Sequence, residues 1–297
     1  SRRSPSSNPC IRTLPGATEE RLQVTTSQRA DWRTPAVALA CGGMILSLSL
    51  GLRHGFGLFL QPMTSDLHWG RETFALALAV QNLVWGASAP FAGLIADKYG
   101  AGRVLAGSAV LYALGLVLMA NPVAPWSFVL SAGVLIGLGL SGVTFSVVQG
   151  VIGRRYPPEK RSMALGISAA AGSFGQFALL PFTQWLLTGI GWHGALLTLA
   201  AVGLLMVPLA IGMVEKRGHH AGHLFQQSAG EALREALAHR GYVLLTVGFF
   251  VCGFQVVFVG VHLPAYLADR GFPAHVAVVA LALVGLFNIV GTYTTGW

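Results

Sequence analysis

The feature that most limits this sequence is the way its charges avoid long apolar stretches. Runs of about twenty predominantly apolar residues recur at about 37–60, 74–96, 104–120, 126–150, 163–187, 193–214, 242–267 and 275–297. Each has the length that an α-helix needs to cross the roughly 30 Å hydrocarbon core of a bilayer. Strands of a membrane barrel would be shorter and would alternate in polarity. None of the 11 Asp and Glu residues falls inside a run. Charged types make up 10% of the 297 residues, against roughly 25% in a soluble domain. The expected fold is an all-α integral membrane protein of eight spans with lipid as its outer partner.

Placing the N-terminal tail in the cytoplasm puts sixteen of the 19 Lys and Arg residues on that side. Arg71 and Arg270 fall on the other side and Arg53 lies within the first run. That bias is the positive-inside pattern. The net charge of +8 is therefore a topology signal, and no nucleic-acid partner is expected from it. Residues 1–35 are rich in Ser, Pro, Thr and Arg, lack apolar periodicity, and read as a disordered cytoplasmic tail without a cleavable signal. Residues 36–214 hold six spans, 215–241 form a cytoplasmic loop with a weak helical pattern over 224–239, and 242–297 hold two more spans. The first and seventh runs end alike, Phe56 to Pro62 and Phe258 to Pro264, at an offset of 202, and Gly93 and Gly296 stand 203 apart. An internal duplication is expected, with the second copy stopping after two helices, as in a fragment of a twelve-helix protein.

After the second run comes Gly93-Leu94-Ile95-Ala96-Asp97-Lys98-Tyr99-Gly100-Ala101-Gly102-Arg103. This segment resembles the loop signature of the major facilitator superfamily: Gly, three residues, Asp, a basic residue, any residue, Gly, then basic residues. It departs at Ala101 and Gly102, where the commonest form has a basic pair. Such variants occur in branches resembling the monocarboxylate and oxalate–formate carriers. The resemblance covers about residues 36–297. It implies a major facilitator fold, here the N-terminal six-helix bundle plus the first two helices of the second. It also implies a cytoplasmic gate that uses Gly93, Asp97, Lys98, Gly100 and Arg103. Gly93 would let another helix approach closely. Asp97 would make ion pairs that one conformation keeps and the other breaks.

Within the spans the one strong charge is Arg53, with His54 beside it. A guanidinium at that depth is costly unless it meets water or a partner. It stays charged, and its fork suits a carboxylate. The alternative is snorkelling to the outer interface, about 10 Å away at 1.5 Å per residue. His54 is a candidate for titration or for packing. In the family that this chain resembles, helices 1, 4, 7 and 10 line the cavity. The implied substrate-binding set is Arg53, His54 and Phe56 on the first helix, Thr144 and Gln149 on the fourth, Gln255 and Phe258 on the seventh, and Gln176 and Asn288 on the fifth and eighth. Gln255 stands at the repeat position of Arg53.

Other apparent motifs carry no chemistry. Gly137 to Gly142 matches dinucleotide spacing but lies inside a span, where helix packing explains it. Gly51/Gly55 and Gly133/Gly137 read as packing pairs. His219, His220 and His223 lack Cys or acid companions, and Cys10, Cys41 and Cys252 share no ligand spacing, so no metal and no cofactor is expected. No GxxxxGK[ST] loop occurs, so ATP is not an expected energy source. No His or Ser is paired with a membrane acid, so an enzyme is not expected. The expectation is a secondary transporter that works by alternating access. Its expected substrate is a small organic anion such as a monocarboxylate, taken with a proton or exchanged. An exporter of drugs or amphipathic metabolites is the alternative. The Ala/Gly/Leu-rich composition points to a bacterial cytoplasmic membrane.

Overall fold

In a computed structural model, residues 34–215 and 229–296 are described. The tail, the His219–His223 cluster and Cys10 lie outside them. Membrane-length helices are α1 (Pro35–Leu67), α2 (Arg71–Tyr99), α3 (Ala101–Ala120), α4 (Pro125–Arg155), a stretch Pro158–Gly212, α7 (Arg240–Asp269) and α8 (Ala274–Gly296). No strand occurs among the described residues. The 55-residue stretch would be about 80 Å long if straight, far more than a bilayer core. It is divided at Gly191, whose φ of 72° and ψ of 174° leave helical geometry. Its limbs, α5 (158–190) and α6 (192–212), restore the eight spans expected from the sequence. A short helix, Ala229–Ala238, precedes α7.

Local chemistry sets the ends. The Thr34 hydroxyl accepts from the Val37 N–H at 3.3 Å, and Pro35 takes the first helical position, where a missing N–H costs nothing. A single residue, Gly100, joins α2 to α3 at φ 97°, a conformation that favours glycine. α1 is interrupted at Gly55, between Pro35–His54 and Phe56–Leu67. α4 contains a π-helical segment, Val129–Leu135, and a break at Thr144.

Apolar burial gives little drive for association inside lipid, so helices meet where small residues let backbones approach. Gly51 of α1 crosses α5 at Gly175, and Gly139 of α4 lies against the Tyr112 backbone of α3. Gly133 and Gly137 of α4 pack on α2 at Val80 and Val84, and Gly285 of α8 packs on α5 at Phe177. These contacts bear out helix packing for the glycine-rich run of α4. α7 reaches the first six helices where its Gly260 meets Gly57. From Arg240 to Val256 it is exposed. Leu83, Phe91 and Phe249 are more than 60% exposed, as lipid-facing side chains would be.

The two ends are tied differently. At one end, Arg71 grips Asp269 with two bonds of 2.8 Å, and Trp192 donates to Asp66 at 2.7 Å. At the other, Arg154 holds Glu215 at 2.9 Å and Asp97 at 3.2 Å, and Arg155 donates to the Val214 carbonyl at 2.7 Å.

Candidate functional site

Arg53 lies in the last turn of the first segment of α1, two residues before the break at Gly55. One guanidinium N–H donates to Asn82 Oδ1 at 2.5 Å, and Arg53 Cζ lies 4.8 Å from the centre of the Trp85 ring. A desolvated cation over an indole face is worth about 2 kcal/mol. Both partners come from α2. Asn82 is held in turn by donating to the Leu78 carbonyl at 2.7 Å. The Trp85 indole N–H donates to the Thr144 hydroxyl at 3.0 Å, and that hydroxyl donates to the Leu140 carbonyl at 2.7 Å. Arg53 Nε is buried without a partner, as are Gln81 Oε1, Tyr112 Oη and Thr183 Oγ1. Thr183 packs against Gly55. The Gln81 amide donates to the Ala132 carbonyl of the π segment at 2.7 Å.

His54 Nδ1 lies 2.6 Å from the Leu50 carbonyl. Because a carbonyl only accepts, Nδ1 carries the proton there and Nε2 of the neutral ring is left as an acceptor. Arg53, His54, Gln81, Asn82, Val257 and Gly260 line a crevice between α1, α2 and α7. The ion pairs among the described residues lie at helix ends, and none involves Arg53. A charged guanidinium, one bond to a neutral amide and an unpaired Nε form a site that is short of a negative charge. The local chemistry fits a carboxylate, for which a charge-assisted bond is roughly twice as strong as a neutral one.

The expected residues are gathered only in part. Phe56 is 1% exposed and lines the same crevice. Thr144 reaches Arg53 through Trp85. Gln149 lies half-buried, five residues before Arg154. Gln176 is spent on an interhelical bond, donating to the Leu281 carbonyl of α8 at 3.3 Å. Gln255, Phe258 and Asn288 are exposed and are not among the residues that line the crevice. Phe258 stacks between Phe254 at 6.0 Å and His262 at 4.9 Å. α7 offers Val257 and Gly260 to Arg53 in place of Gln255, because adjacent positions point about 100° apart around a helix.

Asn82, Trp85, Gln81 and Tyr112 are not among the residues singled out from the sequence. The one signal for the three on α2 is the stripe Leu78, Gln81, Asn82 and Trp85, at helical spacing.

Asp97 has a partner that the loop motif does not contain: Arg154, at the far end of α4. Lys98 lies over the neighbouring Tyr99 ring at 5.3 Å, and Arg103 is exposed. Gly100 makes the turn. Gly93, expected at a close helix approach, has open space beside it among the described residues.

Comparison with known proteins places the chain. The profile of the Major Facilitator Superfamily matches residues 39–297. Monocarboxylate transporter 13 of Bos taurus is 26% identical over 251 residues, covering 84% of this chain and 58% of that protein. Monocarboxylate transporter 11 of Mus musculus is 29% identical over 283 residues, covering 90% of this chain and 58% of that protein. Uncharacterized MFS-type transporter YcxA of Bacillus subtilis (strain 168) is 26% identical over 259 residues, covering 82% of this chain and 60% of that protein. The chain thus spans less than two thirds of these relatives' lengths. With a profile match over most of the sequence and helices built to cross a bilayer, this multi-pass membrane chain belongs to the major facilitator superfamily.

Proposed function

We propose that the chain is part of a secondary transporter that carries a small organic anion, a monocarboxylate in the simplest case, by alternating access. The observation that carries this is Arg53: a guanidinium inside the membrane, on an aromatic face, with a buried unpaired Nε and no carboxylate partner among the described residues. The relatives named as monocarboxylate transporters support the same substrate class over the drug-exporter alternative. The tail and the 215–241 loop face the cytoplasm of a bacterial cell in this reading. The Asp97–Arg154–Glu215 cluster then belongs to the cytoplasmic gate, and the Arg71–Asp269 pair faces outside. Exchange for a counter-anion fits a site with a permanent positive charge, because a carrier that returned empty would carry that charge uncompensated.

Substitution of Arg53 in the full-length protein tests the assignment. Losing a charge-assisted hydrogen bond costs about 1.5–3 kcal/mol. At about 1.4 kcal/mol per decade, Arg53→Gln weakens anion binding on the order of 10- to 100-fold, and Arg53→Lys less. Binding of acetate, propionate and benzoate to the purified protein in liposomes, at a quantified membrane level, is the measurement. Equal affinity in wild type and Arg53→Gln removes the anion assignment.

A further inference from the structure

The path of α4 is broken at membrane depth. Thr144 is extended, φ −107° and ψ −159°, between Ile136–Val143 and Phe145–Arg155. Such a break survives in a bilayer only if the freed carbonyls find donors. Here hydroxyl groups supply them. Thr144 donates to Leu140 O at 2.7 Å, Ser146 to Ser141 O at 3.0 Å, and Ser49 to Val143 O at 3.2 Å. The last donor belongs to α1. Ser49 is four residues before Arg53, so the two share a helix face.

The break is therefore held by two routes that lead back to Arg53. One runs along α1, where Ser49, a turn before Arg53, donates to the Val143 carbonyl. The other runs through Trp85, whose ring underlies the guanidinium and whose N–H reaches Thr144. Beyond the break, Phe145–Arg155 continues as a helix of about 15 Å. Its last turn carries Arg154, which grips both Asp97 and Glu215.

We propose that Trp85 is a positioning residue that makes the Thr144 break a relay, through which occupancy of the Arg53 site sets the placement of the Asp97–Arg154–Glu215 cluster. This rests on the reading of Arg53 as the anion site. A carboxylate on the guanidinium offsets the charge that attracts the Trp85 ring. The ring is then less firmly held, and so is the bond from its N–H to Thr144. A ligand shifts a conformational equilibrium only through a contact that differs between the two states, and the indole is that contact. Thr144 is the point where φ and ψ can change without unwinding either helical segment, as a hinge requires.

The test uses the full-length protein in liposomes, with its native cysteines replaced by serine and an environment-sensitive fluorophore on Gly153→Cys. The probes are acetate, propionate and benzoate, with binding followed separately by radiolabel. The signal is the fluorescence change at saturation, which does not depend on affinity. The protein with Trp85 and Thr144 intact is expected to show a change. Trp85→Phe, which keeps an aromatic face but has no N–H, and Thr144→Val each reduce the amplitude at least three-fold. Thr144→Ser, which keeps the hydroxyl, restores it. Full amplitude in Trp85→Phe and Thr144→Val overturns the relay, as does bound anion with an unmoved reporter in the starting protein. If none of the three anions binds, the anion reading falls and the relay with it.

Discussion

The crossing of α1 and α5 at Gly51 lies two residues from Arg53 and sets how that helix is seated. A Cβ added at Gly51 would lie 2.5 Å from the Gly175 carbonyl oxygen and 2.7 Å from its carbon, under the 3.0 Å that real Cβ contacts respect. The obstacle is backbone, so Gly51→Ala must part the helices by about 0.5 Å in a packed interior that resists such shifts. Overpacking of this kind costs about 1–3 kcal/mol. The same substitution also removes the helix penalty of glycine, about 0.5–1 kcal/mol. Gly107→Ala, on α3, carries that gain alone, because nothing lies within 4 Å of its added methyl. The difference between the two variants isolates the crossing, and it should be about 1–3 kcal/mol. Equilibrium unfolding of the full-length protein in mixed micelles measures it. Gly175→Ala, at the same crossing, should be non-additive with Gly51→Ala, because helices once parted need not part again. Equal stability of Gly51→Ala and Gly107→Ala would refute the close approach.

Three further outcomes are expected. Glu215→Gln should destabilise the Arg154 end of the bundle more than Asp97→Asn, because Arg154 makes two bonds to Glu215, at 3.1 and 2.9 Å, and one to Asp97 at 3.2 Å; thermal unfolding ranks them, and the reverse order would make Asp97 the main anchor. Asp269 lies past the apolar run of α7, and its bonds to Arg71 hold its carboxyl below the usual carboxylate range. A lowered carboxyl contributes above its ordinary range and loses that contribution as pH falls through the lowered value. The link between α2 and α7 should therefore be indifferent to pH between about 5 and 8, while Asp269→Asn weakens it at neutral pH, read as faster labelling of Asn82→Cys by an impermeant reagent from outside. In intact cells the same reagent should label His68→Cys and spare Lys160→Cys, and the opposite pattern would invert the proposed topology.

Much of the fold is legible in the sequence because the bilayer imposes a length and a charge rule on every span. The division at Gly191 follows from the same rule, since a continuous helix over Pro158–Gly212 could not fit. Arg53 is legible as a charge in an apolar run. Its companions are not, because neutral polar residues are scattered through spans and most serve packing. Gln176 does that, whereas Asn82 and Trp85 owe their role to the rotation of α2 against α1, which no spacing within α2 reveals. Gln255 shows the limit of aligning repeats. The crossing pairs Gly57 with Gly260, and one position of slip along a helix turns a side chain about 100° away. Arg154 lies 57 residues from Asp97 in sequence and joins it only because α2 and α4 end on the same side.

The contact between Gly57 and Gly260 also has a mechanical meaning. It lies about 30 Å along α7 from Arg240, at 1.5 Å per residue, and a little under half of that from Asp269. A helix borne near one end on a glycine contact is a lever with unequal arms. Turning it by about 10° carries the Arg240 end about 5 Å and the Asp269 end about half as far, from the same helix rise. A displacement small enough for the Arg71–Asp269 pair to follow by side-chain adjustment would thus become, at the opposite membrane face, an opening wider than a water molecule.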